Sequence, residues 1–400
     1  MEYFGLREFI VNKKTKKAAA GLMIACFLAS CNDSDVVSEP VDGGSTESAE
    51  VDSRETSLDY VTSAKGDDKV MPLDRIKIES STDDLRVTMT DLATGRVING
   101  QYGELDDGGR DWVKIKELKY GEKYRLHASA GGKEINKTLV TPKPTTAEPV
   151  VSPGNGEEVG SAATIAVRFD APVPDRKKME ESIYISTAPE VEGSFRWISD
   201  KEVRWRPAKF WAPGTVVKVN VGSYGRYYGG GIFGGNNTGV SFRISPEETV
   251  TEIDDKTKTA VVKKRGKVVK TFPVSLGKDS TPTNNGVYIL GDHNPSMIMD
   301  SSTYGVSVDS SEGYRLNVDY ATQMSYSGIY LHSAPWAAGA IGSYNQSHGC
   351  INALPEDAKW FMEHTRKGDP VIVKNSVGDT LPVDDGLGDW NIPYKKWSKR

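Results

Sequence analysis

The chemistry in this sequence gathers around one thiol. Cys350 sits in the run Ser347-His348-Gly349-Cys350-Ile351-Asn352, and eighteen residues before it His332 lies in Ile329-Tyr330-Leu331-His332-Ser333. Acyl transfer through a thiol needs a sulfur nucleophile, a base that can take and return its proton, and donors for the oxyanion of the tetrahedral intermediate. Cys350 supplies the first, and His332, at the end of a predicted strand, supplies the second from a rigid mount. The carbonyl of Ser333 can orient the other ring nitrogen of His332. A turn at Gly349 can present the Cys350 amide to the oxyanion, while Asn352 holds substrate or fixes the loop. Two other readings stay open on these residues alone. Cys350 can be a buried structural cysteine, or His332, His348 and Cys350 can be zinc ligands, although no fourth ligand is evident.

The thiol is isolated because the other two cysteines lie at the N-terminus. Lys13, Lys14, Lys16 and Lys17 precede an apolar run from Ala18 to Leu28. That run is too short to span a bilayer as a helix but suits a signal peptide. Leu28-Ala29-Ser30-Cys31 then matches a bacterial lipobox, in which the chain is cut before the cysteine and the cysteine takes lipid. A plain signal peptide with an incidental Cys31 is the alternative. Removing residues 1–30 discards Cys26, five basic and two acidic residues, so the charge moves from −5 to −8. Cys350 is then the one thiol of an exported chain that has no partner for it.

Elements must position these groups. The chain has 400 residues, enough for two to three domains at roughly 150 residues each. It is 37% hydrophobic and 26% charged, which supports packed cores. The acidic balance argues against a nucleic-acid surface, and three cysteines exclude a disulfide scaffold. Residues 31–70 are rich in Asp, Glu, Ser, Thr and Gly and read as a flexible tether. From 71 to 146, runs such as Ile76-Lys77-Ile78, Leu85 to Met89, Trp112 to Ile115 and Tyr124 to Ala128 alternate with turn clusters, as in a β-sandwich. A second sandwich spans 147–249 after a linker at 143–149, with strands at Thr164–Phe169, Ser182–Ile185, Glu202–Trp205, Val216–Val221 and Val240–Ile244. Gly229 to Gly235 is not ordered as a phosphate-binding loop and reads as a mobile β-loop.

The third unit covers 250–375. Arg265-Gly266 marks a hairpin between Thr259–Val262 and Lys267–Phe272. Further strands fall at Val287–Leu290, Gly328–His332 and Val371–Val373. One main helix is predicted from Pro355 to about Arg366. Acidic residues stand in its first turn and basic residues at its end, with Gly368 closing it. The tail, 376–400, carries Trp390 and Trp397, which should cover an apolar surface of the catalytic unit. No metal or nucleotide signature accompanies these elements, so no cofactor is expected. His127, His293 and His364 stand outside any motif.

The string from His332 to Asn352 resembles the signature of the L,D-transpeptidase (YkuD) catalytic domain. Ser301-Ser302-Thr303-Tyr304-Gly305, Gly313-Tyr314-Arg315, Tyr326-Ser327-Gly328, His332 to Trp336, and Gly386-Leu387-Gly388-Asp389-Trp390-Asn391-Ile392-Pro393 are similar to its actinobacterial branch, as found in mycobacteria. The resemblance covers about residues 70–400. It implies a mainly β protein: two immunoglobulin-like sandwiches, a β-rich catalytic domain, and a Trp-containing tail. It implies a monomer on the outer face of the membrane, anchored by lipid at Cys31. There the enzyme would make 3→3 cross-links in peptidoglycan, from tetrapeptide donors to diaminopimelate amines, with loss of D-Ala, and would be acylated by carbapenems. Carried over residue by residue, Cys350 is the nucleophile and His332 the base and acid. An imidazolium–thiolate pair between them would lower the thiol pKa. Ser333 orients His332, and the amides of Gly349 and Cys350 with Tyr314 surround the oxyanion and acyl pocket. His348 has a structural part in the catalytic loop, and Met299, Ser327, Gly328, Trp336 and Asn352 face substrate. An L,D-carboxypeptidase, a protein-anchoring transpeptidase and a non-catalytic wall-binding lipoprotein are the alternatives.

Overall fold

Alternating apolar residues build the two N-terminal β-sandwiches. The computed structural model describes residues 56–399 apart from 67, 306 and 311. The signal segment, Cys31 and most of the expected tether lie outside those residues. In the first sandwich, Leu58–Thr62, Ile76–Ser80, Arg110–Lys114 and Gly100–Glu104 form one sheet, in that order. Arg86–Asp91, Lys123–Ala130 and Lys133–Val140 form the other. Their inward faces meet in a core that includes Ile76, Ile78, Met89, Trp112, Tyr124 and Leu126. The first strand corrects the tether boundary. Leu58–Thr62 pairs antiparallel with Ile76–Ser80, and Val70 is fully buried. An edge strand buries only one face, and only partly, so Leu58 and Tyr60 suffice in an otherwise polar stretch.

The second sandwich repeats the plan with different strands. Glu158–Val159, Thr238–Ile244, Val216–Val221 and Ile183–Ala188 make one sheet, and Gly193–Trp197, Glu202–Pro207, Ile165–Arg168 and Val150–Ser152 make the other. The glycine loop differs from the expectation. Tyr227–Gly229 and Ile232–Gly234 form a hairpin, and its second strand pairs in parallel with Thr145–Ala147 inside the expected linker. Gly229 and Gly230 have φ of 109° and 58°, a conformation glycine adopts freely and which this tight turn requires.

The C-terminal unit holds two sheets. We number its strands β1 (Thr249–Asp254), β2 (Thr259–Lys264), β3 (Lys267–Pro273), β4 (Gly286–Ile289), β5 (His293–Asp300), β6 (Arg315–Gln323), β7 (Tyr330–Ser333), β8 (Ile351–Ala353) and β9 (Pro370–Lys374). One sheet runs β3-β2-β1-β9-β4 and the other β5-β6-β7-β8. The Arg265-Gly266 hairpin is present, with both residues at positive φ, the geometry that matches strand twist. The main helix, α1 (Pro355–His364), packs Ala358 and Phe361 into the core shared by both sheets. It ends earlier than expected. Thr365 is extended and its hydroxyl donates to the Phe361 carbonyl at 2.7 Å. Gly368 therefore does not close the helix. It lies in a turn whose carbonyl accepts from the Ala162 amide of the second sandwich.

The tail packs on more than the catalytic unit. Asp389 is fully buried, 2.8 Å from the Arg204 guanidinium, and accepts from the Thr164 hydroxyl at 2.7 Å. Trp390 meets Phe210 edge-on at 4.6 Å and donates to the Ala162 carbonyl. Trp397 donates to the Ser194 carbonyl, and Arg206 lies between the Trp390 and Trp397 rings, 4.5 Å from each. All these partners belong to the second sandwich. On the other side, the Asn391 side chain accepts from the Val287 amide of β4 at 2.7 Å. The tail is thus a strap across both units. Removing one partner of a buried pair leaves an uncompensated charge. Asp389→Ala should therefore cost about 3–5 kcal/mol, read as a lower urea midpoint, and the double variant with Arg204→Leu should regain part of it. Equal midpoints for wild type and Asp389→Ala would refute the strap's anchoring by this pair.

Candidate active site

Parallel pairing of β7 and β8 brings the sequence motifs together. Leu331 lies opposite Ile351, His332 opposite Asn352, and Ser333 opposite Ala353. Side chains two residues apart share a sheet face. His332, Asn352 and Cys350, just ahead of β8, therefore approach one pocket. That cavity of about 240 Å³ is lined by His332, Cys350, Asn352, Met299, Tyr314, Trp336, Leu316, Gln346, Ser347 and His348.

His332 is almost fully buried, and its Nδ1 is 2.8 Å from the carbonyl oxygen of Ser333. A carbonyl only accepts, so Nδ1 carries the proton and Nε2 keeps its lone pair. Burial holds the imidazole pKa below its ordinary value, partly opposed by that hydrogen bond. The Trp336 ring stacks 6.0 Å from the His332 ring. The expected orienting carbonyl is thus in place.

The surroundings of Cys350 act on its thiol in the opposite sense to an imidazolium partner. Its Sγ donates to the Gly328 carbonyl at 3.4 Å, and burial pushes the thiol up to about 11. Desolvation disfavours the charged form of both groups, raising the thiol and lowering the imidazole. Both shifts favour the neutral forms of the thiol and the imidazole, and so act against an imidazolium–thiolate pair.

The loop before Cys350 is braced by hydroxyls. Ser347 Oγ donates to the Cys350 carbonyl at 2.6 Å and accepts from the Gly349 amide at 3.1 Å. Thr283 Oγ1 donates to the Gly349 carbonyl at 2.8 Å and accepts from the Gly277 amide at 3.0 Å. The Gly349 amide, expected at the oxyanion, is therefore engaged by Ser347. The Cys350 amide has no acceptor among the described residues.

Other expected residues fall in different places. Met299, Tyr314, Trp336 and Asn352 line the pocket. Gly328 accepts from Cys350 Sγ through its carbonyl and is not among the residues that line the cavity. Ser327 does not line the cavity, since its hydroxyl contacts that of Ser325 and its amide donates to Asp385. His348 Nε2 is 2.6 Å from Glu312, which Lys278 also contacts. These two partners hold the Glu312 carboxyl below the ordinary range. With its Nε2 tied to Glu312, His348 does not share a ligand set with His332 and Cys350. No group of three or more His, Cys, Asp or Glu suited to a metal occurs among the described residues. Sequence reasoning missed the bracing by Ser347 and Thr283, and the partner Glu312. Ser347, inside the motif and three residues before Cys350, was open to discovery. Thr283 and Glu312 reach the loop only through the tertiary fold.

Comparison with known proteins agrees with this architecture. A bacterial Ig domain family matches residues 67–226, spanning parts of both sandwiches, and the L,D-transpeptidase catalytic domain (YkuD) matches residues 248–373. L,D-transpeptidase 2 of Mycobacterium tuberculosis (strain CDC 1551 / Oshkosh) is 49% identical over 300 residues, 74% of this chain and 73% of the relative. L,D-transpeptidase 1 of Mycobacterium tuberculosis (strain ATCC 25618 / H37Rv) is 38% identical over 223 residues, 56% of this chain and 83% of the relative. A solved L,D-transpeptidase in complex with imipenem is 37% identical, with a TM-score of 0.51, and covers 58% of this chain and 100% of that one. An immunoglobulin-like region, a YkuD catalytic domain and near-half identity to a relative over most of its length place this chain in the L,D-transpeptidase family.

Proposed function

We propose that this protein is a peptidoglycan L,D-transpeptidase that forms 3→3 cross-links through a thioester on Cys350. The observation that carries the reading is the shared pocket of Cys350 and His332, with the imidazole tautomer fixed by the Ser333 carbonyl. Nε2 of His332 takes the thiol proton as Sγ attacks the carbonyl of diaminopimelate, third in a tetrapeptide stem. The Cys350 amide donates to the oxyanion. The bond to the terminal D-Ala breaks, and His332 returns the proton to the leaving amine. The side-chain amine of diaminopimelate on a neighbouring stem then attacks the thioester. His332 accepts the amine's proton and passes it to the departing sulfur. One amide bond is exchanged for another, so the scheme calls for no cofactor.

Met299, Tyr314, Trp336 and Asn352 line the path of the donor stem. Imipenem bound to a related enzyme supports acylation of Cys350 by carbapenems in this one. The protein acts outside the membrane as a monomer, held by lipid on Cys31. No helix among the described residues is long and apolar enough to cross a membrane.

The product masses test the reaction. Incubated with purified disaccharide-tetrapeptide, the chain should yield a dimer lacking one D-Ala, and Cys350→Ala should yield none. Tripeptide alone would mark a carboxypeptidase, and no product with a thiol inert to imipenem would mark a binding protein. Removing a general base typically costs about 10²–10⁴ in rate, so His332→Ala should lose that much acylation while keeping its fold. The neutral imidazole is the working base and burial lowers its pKa. Acylation should therefore rise through a midpoint below the ordinary histidine value of 6.5 and then stay level through weakly alkaline pH. A midpoint in the ordinary cysteine range would mean that thiol ionisation limits the rate. Ser347→Ala removes both hydroxyl bonds of the loop and should slow imipenem acylation about tenfold or more through misplacement of Sγ. Unchanged acylation would remove Ser347 from the account.

A further inference from the structure

The turn that contacts the nucleophile is pinned by the tail. Between β6 and β7 the chain reverses over Ser325 to Ile329. The Met324 and Ser325 amides donate to the Ile329 carbonyl at 2.8 and 3.1 Å, and the Ile329 amide donates to Ser325 Oγ at 2.9 Å. These bonds close the base of the turn. Its tip is held from outside. Asp385, at the end of a short helical turn in the tail (Val383–Asp385), accepts from the Tyr326 amide at 2.8 Å through Oδ1 and from the Ser327 amide at 3.2 Å through Oδ2. The next residue, Gly386, allows the close fit, since a Cβ there would lie 2.0 Å from the Tyr326 ring. The second sandwich touches the same tip, with Arg168 Nη2 at 3.4 Å from the Tyr326 hydroxyl. One residue beyond the Asp385 contacts stands Gly328, whose φ of 96° turns the chain and whose carbonyl accepts from Cys350 Sγ.

We propose that Asp385 is a positioning residue for Cys350: its carboxylate clamps the amides of Tyr326 and Ser327 and thereby fixes the Gly328 carbonyl that orients the thiol. Bonds from two amides to one carboxylate are charge-assisted and directional, so they set the turn more firmly than neutral contacts do. The tail thus reaches the reacting sulfur through a single side chain, although it lies outside the pocket. The inference rests on the reading of Cys350 as the nucleophile.

Three variants test it: Asp385→Ala, Asp385→Asn and, as a control, Asp384→Ala at the exposed neighbour. The readouts are the rate of Cys350 acylation by imipenem, the pH midpoint of its alkylation by iodoacetamide, and the thermal melt. Small misplacements of a reacting atom cost up to about a hundredfold, so Asp385→Ala should lose about tenfold or more in acylation. Asp385→Asn keeps one acceptor and should fall between Asp385→Ala and wild type. Freed from the Gly328 carbonyl, the thiol loses a bond that favours its neutral form. Its alkylation midpoint should therefore drop in Asp385→Ala even as productive acylation falls. A purely structural role would lower the melt without this opposed pair of shifts. Should Asp385→Ala fail to fold, Asp385→Asn decides. Wild-type acylation and midpoint in a folded Asp385 variant would overturn the inference, whereas a wild-type thiol inert to imipenem would overturn the reading beneath it.

Discussion

Burial of His332 and partial burial of Cys350 at one pocket is the constraint on which the site depends. In water, the thiol and the imidazole would titrate near their usual values and exchange a proton at little cost. In the pocket, desolvation acts against charge on both groups, raising the thiol and lowering the imidazole. Under the proposed function, the pocket holds a protonated nucleophile whose proton passes to His332 as a carbonyl arrives. The Ser333 carbonyl makes this state specific. It fixes one tautomer, so the lone pair stands on the nitrogen that can work.

The remaining structure keeps that pair in register. Parallel pairing of β7 and β8 sets His332 beside the segment that leads from Cys350. Hydroxyls of Ser347 and Thr283 hold the approach to Cys350, where Gly349 at a φ of 122° leaves the backbone strained for any other residue. Beyond the sheet, Arg204, Asp389 and the tryptophans of the tail join the catalytic unit to the second sandwich. The sandwich is thus part of the platform and not simply a spacer.

Much of this was legible in the residues. Alternating runs announced the sandwiches, the Arg265-Gly266 pair announced a hairpin, and Pro355 with its acidic neighbours announced the helix. Leu58–Thr62 was not legible, because an edge strand with one half-buried face looks like polar linker. The strand pairing of Thr145–Ala147 with the glycine hairpin was hidden for a related reason, since short parallel partners leave no periodicity. Asp385 and Glu312 could not be chosen from the sequence. Each is one acid among many, and only the fold sets it against the amides of Tyr326 and Ser327 or against His348. The upward shift of the Cys350 thiol was not legible, because motif chemistry speaks of partners, whereas burial is a property of the packed chain.

The most direct test is the ionisation of Cys350 itself. Alkylation rates across pH, in wild type and in His332→Ala, report the thiol midpoint with and without the imidazole. The wild-type midpoint should be pushed up toward about 11, with little change in the variant, because burial sets the value. A wild-type midpoint below about 7, rising sharply when His332 is removed, would reveal an imidazolium–thiolate pair and contradict it.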